Sequence, residues 1–498
     1  MRMKSEDYKA KSIHIFALPF KFKSAQEKAS FQYQTMVERL IVLGWQNASL
    51  SLSDVDDYAV DQYMSGQAKQ IFWEKSKGDQ YLPCSVLQYG ESEKQPLFFH
   101  MEKDDFKASL LISGLEIHIY QDGYGILFIK TLNFLDDIDR IRPINHYGRR
   151  FLLPFIPATP AGYSLAADKI GIEDLRGKLK GTITNYKLDI EKYLRSDNEE
   201  RILIGKNFSS IPYFLFYLLN HGTVQEQWVI NQTDIEDISD ERMFLFCLVR
   251  NDAMSGKVKY NCDSSFRNEL YKLIFADTDD ATCQDDDMRD RLLKEAIYPR
   301  WRKWGTIQAV TNTGMFCITS TYAGINDSVI KPFVTEYLYM YSLVLAQHMG
   351  IMLFSERAGD IGKHIIGKIK TREHRELVSL QKEYVVFKNQ MLILDFTYQE
   401  QGSELYELIQ KQMRIDEEEA ILDEQLESLY EITNVSNDIS LQTIAAVLAI
   451  FAIAVDVILN VFISGKEFTW CEIAQISLVT LIVTAVAIVT AIKHLGEK

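Results

Sequence analysis

Between Gly402 and Gly465 the chain holds neither glycine nor proline, and Glu, Leu, Ile, Gln and Ala dominate. Local propensity therefore favours one uninterrupted helix, which at ~1.5 Å per residue would extend ~93 Å, about three bilayer thicknesses. Its last part, 439–464, is apolar enough to cross a membrane, and so is 473–492. The short outer loop 465–472 would join them as a helical hairpin, leaving a tail at 493–498. The N-terminal MRMKSEDYKAKSIHIF has no apolar run of signal-peptide length, so the bulk of the chain and both termini are expected on the cytosolic side. Lys493 and Lys498 agree with that orientation.

From Ser403 to Ser440 eleven acids face only Lys411 and Arg414, so nine of the fifteen net negative charges lie in this segment. At about 100° per residue, Glu424, Glu427, Glu431, Asn434, Asp438, Gln442, Ala445, Ala449, Ala452, Asp456 and Asn460 fall near one line. A carboxylate at mid-bilayer costs about 2.5–3.5 kcal/mol on insertion scales, so Asp456 needs water or a partner. Two readings follow. The alanines could form a close-packed helix interface beside a solvated acidic surface. Alternatively, copies of the helix surround an aqueous axis and this stripe lines a cation path. Close packing explains the alanines but leaves Asp456 and Asn460 unpaired, and one hairpin cannot enclose a pore, so the second reading requires a homo-oligomer.

Upstream, 12–22, 96–101, 109–120 and 125–133 read as strands, with QDGY as the turn of a hairpin and 25–43 as a helix. Further strands are expected at 226–231, 243–249, 305–311 and 314–320, the last two joined by TNTG. This order suggests two α+β units, 1–160 and 161–357. The second would end in an apolar helix, 330–357, whose Glu336, Gln347 and His348 mark it as a buried core helix. Residues 358–438 are expected as stalk helices, with 360–398 turning at QEQGSE to pack back along the long helix. The expected fold is thus an α+β cytosolic region, long stalk helices and a two-helix transmembrane hairpin, assembled as a homo-oligomer.

Two basic clusters stand out in so acidic a chain. YPRWRKWGT places Arg300, Arg302 and Lys303 among Trp301 and Trp304. Arginine forks match phosphate and indoles can stack on a base. The plainer reading is an aromatic core edge with solvated cations. RIRPINHYGRR offers Arg140, Arg142, Arg149 and Arg150 as a second phosphate-binding candidate. The overall acidity argues against extended nucleic acid as a partner, whereas one small nucleotide needs only a local patch. No P-loop, Rossmann glycine fingerprint, HExxH or GxSxG occurs, the six cysteines show no zinc spacing, and DTDDATCQDDD departs from a calcium loop at Ala281. The chain presents no metal site and no catalytic constellation, so a non-enzymatic role is expected.

A cytosolic α/β region, antiparallel helices, one very long helix entering the membrane and a second span ending near basic residues resemble the CorA family of divalent-cation channels. The resemblance covers mainly 360–498. It implies a pentamer whose first span lines the pore, with divalent cations as candidate ions. The family's Gly-Met-Asn is replaced here by Asn460-Val-Phe-Ile-Ser-Gly-Lys-Glu-Phe468, which puts magnesium selectivity in doubt. QDGYG, RWRKWGTIQAVTNTGMFCITS and LYMYSLVLAQHMGIMLFSERAG look like the CorA-like membrane effectors of type III CRISPR systems. That narrower resemblance implies a bacterial inner-membrane protein with a nucleotide messenger, an adduct of S-adenosylmethionine with AMP, as its ligand. A constitutive magnesium transporter and a non-conducting membrane-anchored sensor are the alternatives.

Overall fold

The computed structural model describes residues 3–23, 32–74, 82–89, 96–150, 166–174, 178–183, 211–223, 225–231, 233–236, 242–260, 264–278, 281–365 and 371–433. Two compact units emerge: Met1–Met352 with Phe387–Glu418, and Leu353–Val386 with Glu419–Lys498. The expected membrane segments 439–464 and 473–492 lie outside the described residues.

The first unit is built on one sheet of thirteen described strands: β1 (Ser12–Phe22), β2 (Trp45–Asn47), β3 (Cys84–Tyr89), β4 (Phe98–Lys103), β5 (Phe106–Tyr120), β6 (Tyr124–Asn133), β7 (Lys169–Glu173), β8 (Leu179–Ile183), β9 (Ile235–Glu236), β10 (Phe244–Arg250), β11 (Ile297–Tyr298), β12 (Ile307–Thr311) and β13 (Gly314–Thr319). Its main path runs β11-β12-β13-β10-β1-β6-β5-β4-β7-β8. The hairpin read from QDGY is β5–β6, with Gly123 at φ +94 in its turn, a conformation glycine adopts without steric cost.

The two α+β units read from the sequence are one sheet. β1 pairs antiparallel with β6 on one side and β10 on the other, so strands from both sides of residue 160 share a ladder. The sequence of β1 permits this, because SIHIFALPFKF is apolar enough to be buried on both faces.

The core helix, Glu336–Ile365, packs on the sheet through its first half, residues 336–352. The helical run Ala323–Lys363 is long and apolar enough to cross a membrane, but 78% of its most apolar window is buried inside the protein. Several polar groups of this helix have partners there. Gln347 donates to the Met391 carbonyl at 2.7 Å and to the Tyr406 hydroxyl at 3.1 Å. Tyr124 donates to Ala346 O at 2.7 Å, and Tyr341 meets Phe246 edge-on at 4.5 Å.

Three local expectations are corrected. Residues 226–231 are not a strand, because the Asn220 side chain accepts the Val229 and Ile230 amides at 2.7 and 3.0 Å and donates to Ile230 O. Those backbone groups are therefore used within the turn rather than in a ladder. The chain reverses at 392–399, not at QEQGSE, which belongs to the start of the helix Glu400–Met413. There Phe396 and Thr397 are buried, and Ser65 donates to the Asp395 and Phe396 carbonyls.

Finally, the glycine- and proline-free stretch is not one rod. The Glu400–Met413 helix ends at Arg414, whose φ of +59 and ψ of +35 are left-handed, and a new helix begins at 415 and continues through 433. The Arg414 amide closes the first helix on Gln410 and Lys411 carbonyls, a left-handed cap usually filled by glycine.

In the second unit residues 371–386 of the helix Thr371–Met391 and residues 419–433 pack together. Tyr384 donates to Asp423 at 2.9 Å and stands against Phe354, while Leu377, Leu380, Leu422 and Leu426 are buried. Arg357 pairs with Glu383 at 2.7 Å, and Ser355 donates to Gln425 at 3.1 Å.

Candidate functional site

Of the acidic stripe, Glu424, Glu427 and Glu431 fall within the described residues. All three are exposed, on the face roughly opposite the buried Leu422, Leu426 and Thr433. Asn434, Asp438, Gln442, Ala445, Ala449, Ala452, Asp456 and Asn460 lie outside them.

The two basic clusters are largely committed to protein. Arg300 donates to Glu404 and Glu400, both at 2.7 Å, and Tyr298 also donates to Glu404. The Tyr298 hydroxyl and the Arg300 guanidinium together hold the Glu404 carboxyl below the usual range. Trp301 and Trp304 stack on each other at 5.3 Å, leaving Trp304, Arg302 and Lys303 exposed on a single turn. The phosphate-binding role read for this cluster loses Arg300, its central arginine. Arg142 is likewise taken by Asp139 and Glu269.

Arg149 and Arg150 lead elsewhere. Arg149 is buried and donates to Thr313 Oγ1 at 3.0 Å, its carbonyl accepts the Met243 amide, and Arg150 forms an isolated bridge with Arg242. Thr313, Met243 and Arg242 line a pocket of about 470 Å³, together with Phe244, Asn312, His348, Met352, Gln412, Met413, Arg414 and Glu418. Four separate segments contribute: the approach to β10, the β12–β13 turn, the core helix, and the break at Arg414.

The pocket has two chemical walls. Arg242 and Arg414 supply donors and positive charge and His348 an imidazole, while Phe244, Met243, Met352 and Met413 supply apolar surface. His348 Nδ1 lies 2.6 Å from the Glu418 carboxylate, and Arg414 Nε donates to Glu417 at 2.7 Å. Such a lining suits a small anion with a flat apolar part. Family models, curated proteins and solved structures offer no match to this chain. The site therefore rests on its own geometry.

Of the pocket's charged residues the sequence signalled none as a ligand-binding group. Arg242, His348, Arg414 and Glu418 have no shared spacing, and only the neighbouring Arg149 and Arg150 were legible as a basic cluster.

A second buried constellation also went unread. His118 Nδ1 lies 2.7 Å from Ser342 Oγ, and its Nε2 lies 2.9 Å from Glu116. The connectivity is that of a nucleophile–base–acid relay. All three side chains are fully buried, however, with Phe72, Phe128 and Tyr339 packed around the imidazole. Burial pushes the His118 pKa down, and Glu116 opposes that. This relay seats the core helix on the sheet. Among the described residues no His, Cys, Asp and Glu cluster suits a metal ion.

Proposed function

We propose that this protein is a membrane channel opened by a nucleotide messenger, similar to the CorA-like effectors of type III CRISPR antiviral defence. In this reading several copies assemble around a shared axis in the bacterial inner membrane. Asp438, Gln442, Asp456 and Asn460 line a cation path, and opening it leaks or depolarises the cell. The reading is carried by the stripe of small and oxygen-bearing side chains that keeps helical phase from Glu424 to Asn460. The exposure of Glu424, Glu427 and Glu431 on one face of their helix supports it.

The messenger, an adduct of S-adenosylmethionine with AMP, binds in the pocket of Arg242, Thr313, His348 and Arg414. The arginines meet its phosphate, and the methionines and Phe244 meet its base. Differential affinity for the closed and open forms drives the change. A shift from 1:99 to 99:1 needs ~5.5 kcal/mol, which is modest when several equivalent sites share it.

The test is ion flux through proteoliposomes containing the purified protein, with and without the adduct. The expected outcome is adduct-dependent cation flux that Asp456→Leu abolishes. Absence of flux with the adduct, together with an Asp456→Leu protein that still protects cells, would rule the channel out.

A further inference from the structure

Arg414 is a non-glycine residue at φ +59, set between two helices that sequence propensity would join. A left-handed conformation is unfavourable for a residue with a Cβ and persists only where its surroundings over-determine it. The surroundings of Arg414 do so. Met413 and Ile415, on either side, are buried. The first turn of the new helix is tied back to the core helix by His348 and Glu418 at 2.6 Å. The Arg414 guanidinium itself is mostly exposed and, among the described residues, pairs with the exposed Glu417, a solvent-screened contact that adds little. The break is thus held by the His348–Glu418 hydrogen bond and two apolar anchors, and both Arg414 and Glu418 line the 470 Å³ pocket.

We propose that Arg414 is a joint controlled by the pocket: an anion bound there displaces Glu418 from His348 and lets residue 414 become helical, joining Glu400–Met413 to the helix that follows. This deepens the ligand-gated reading and rests on it. The sign follows from charge. A bound anion brings negative charge beside the Glu418 carboxylate and competes with it for His348. It therefore weakens the tie that keeps the second helix turned at 414. Helix propensity then favours continuity, because no glycine or proline interrupts the stretch.

The experiment uses the full chain in nanodiscs. Spin labels are placed at the exposed Glu407 and Ile421, and labelled chains are diluted with unlabelled ones so that only the intrachain distance is read. In a continuous helix their backbones would be ~21 Å apart. Arg414→Gly, which accepts the left-handed conformation, is expected to keep the wild-type distance. Arg414→Ile, which resists it, is expected to move the distance to ~21 Å without any ligand. Glu418→Gln, a milder change, is expected to shift it the same way. Pyrophosphate and the adduct are each expected to shift the wild type.

Wild-type distances in both Arg414→Ile and Glu418→Gln overturn the joint. Shifts in those variants with no response to either anion overturn its control by the pocket. A pyrophosphate shift without adduct-driven flux supports the joint and removes the messenger reading. Adduct-driven flux with an unmoved distance does the reverse.

Discussion

Lys130 Nζ lies 2.8 Å from Asp7 Oδ2, and both side chains are fully buried beside the central strands. Burial pushes the Lys130 pKa down and the Asp7 carboxylate pushes it back up. Removing one partner of such a pair leaves an uncompensated charge and costs about 3–5 kcal/mol, whereas replacing both with apolar groups is often neutral. Asp7→Leu and Lys130→Met are each expected to lower the thermal midpoint of the purified protein sharply, and the double variant to recover most of the loss. Equal losses in single and double variants would show that the pair is not isolated.

Gly314 is expected to be intolerant of any side chain. A Cβ there would sit 2.0 Å from the Leu245 carbonyl oxygen, on the parallel neighbour β10. Backbone must move to relieve that, so Gly314→Ala should destabilise by at least the roughly 1–3 kcal/mol of an overpacked core. Gly256, in the helix Asp252–Tyr260, meets nothing within 4 Å. Gly256→Ala should stabilise by about 0.5–1 kcal/mol. Thermal midpoints of the two variants, measured side by side, check the contrast.

Acid should weaken the first unit before its carboxylates protonate. His14 is fully buried between Asn145, 2.7 Å from Nδ1, and Ser12, 2.9 Å from Nε2. Burial pushes its pKa down to about 4 from 6.5, and Asn145 opposes the shift. The unfolded chain therefore binds more protons between those values. Stability is complete above pH 6.5 and is lost as pH falls toward 4, by up to ~3 kcal/mol. His118 shifts in the same direction. His14→Gln should flatten the fall in midpoint between pH 7 and pH 5, and an unchanged slope would assign it to other groups.

Arg242 and Arg300 should separate the two basic regions. Losing a charge-assisted hydrogen bond costs about 1.5–3 kcal/mol, which corresponds to roughly 10- to 150-fold in affinity. Arg242→Ala is expected to weaken adduct binding by that factor in calorimetry. Arg300→Ala should leave binding within about two-fold and change stability little, as for other exposed pairs. A larger loss of binding in Arg300→Ala would move the site to the tryptophan turn.

Much of the sheet was legible because its signals are local. β1, β5, β6, β10, β12 and β13 follow from short apolar runs bounded by turn residues, and the QDGY and TNTG turns fall where their glycines allow. The core helix was legible from Gln347 and His348, polar residues that a membrane span would not carry unpaired and that here bond to Met391, Tyr406 and Glu418. The phase of Glu424, Glu427 and Glu431 was readable for the same reason, since helical periodicity alone puts them on one face.

What the sequence by itself determined is therefore the elements and their polarity: which runs are strands, which helix is core, and where the negative charge lies. Tertiary structure alone decided that β1 joins both halves into one sheet, that Asn220 takes the backbone bonds of 229–230, that Arg242, His348 and Arg414 gather around one pocket, and that the long helix breaks at Arg414. Periodicity and propensity act over a few residues and differ by tenths of a kilocalorie per mole. Contacts between distant segments, such as Glu418 with His348, are worth more than those differences and leave no mark in the spacing of the residues that make them.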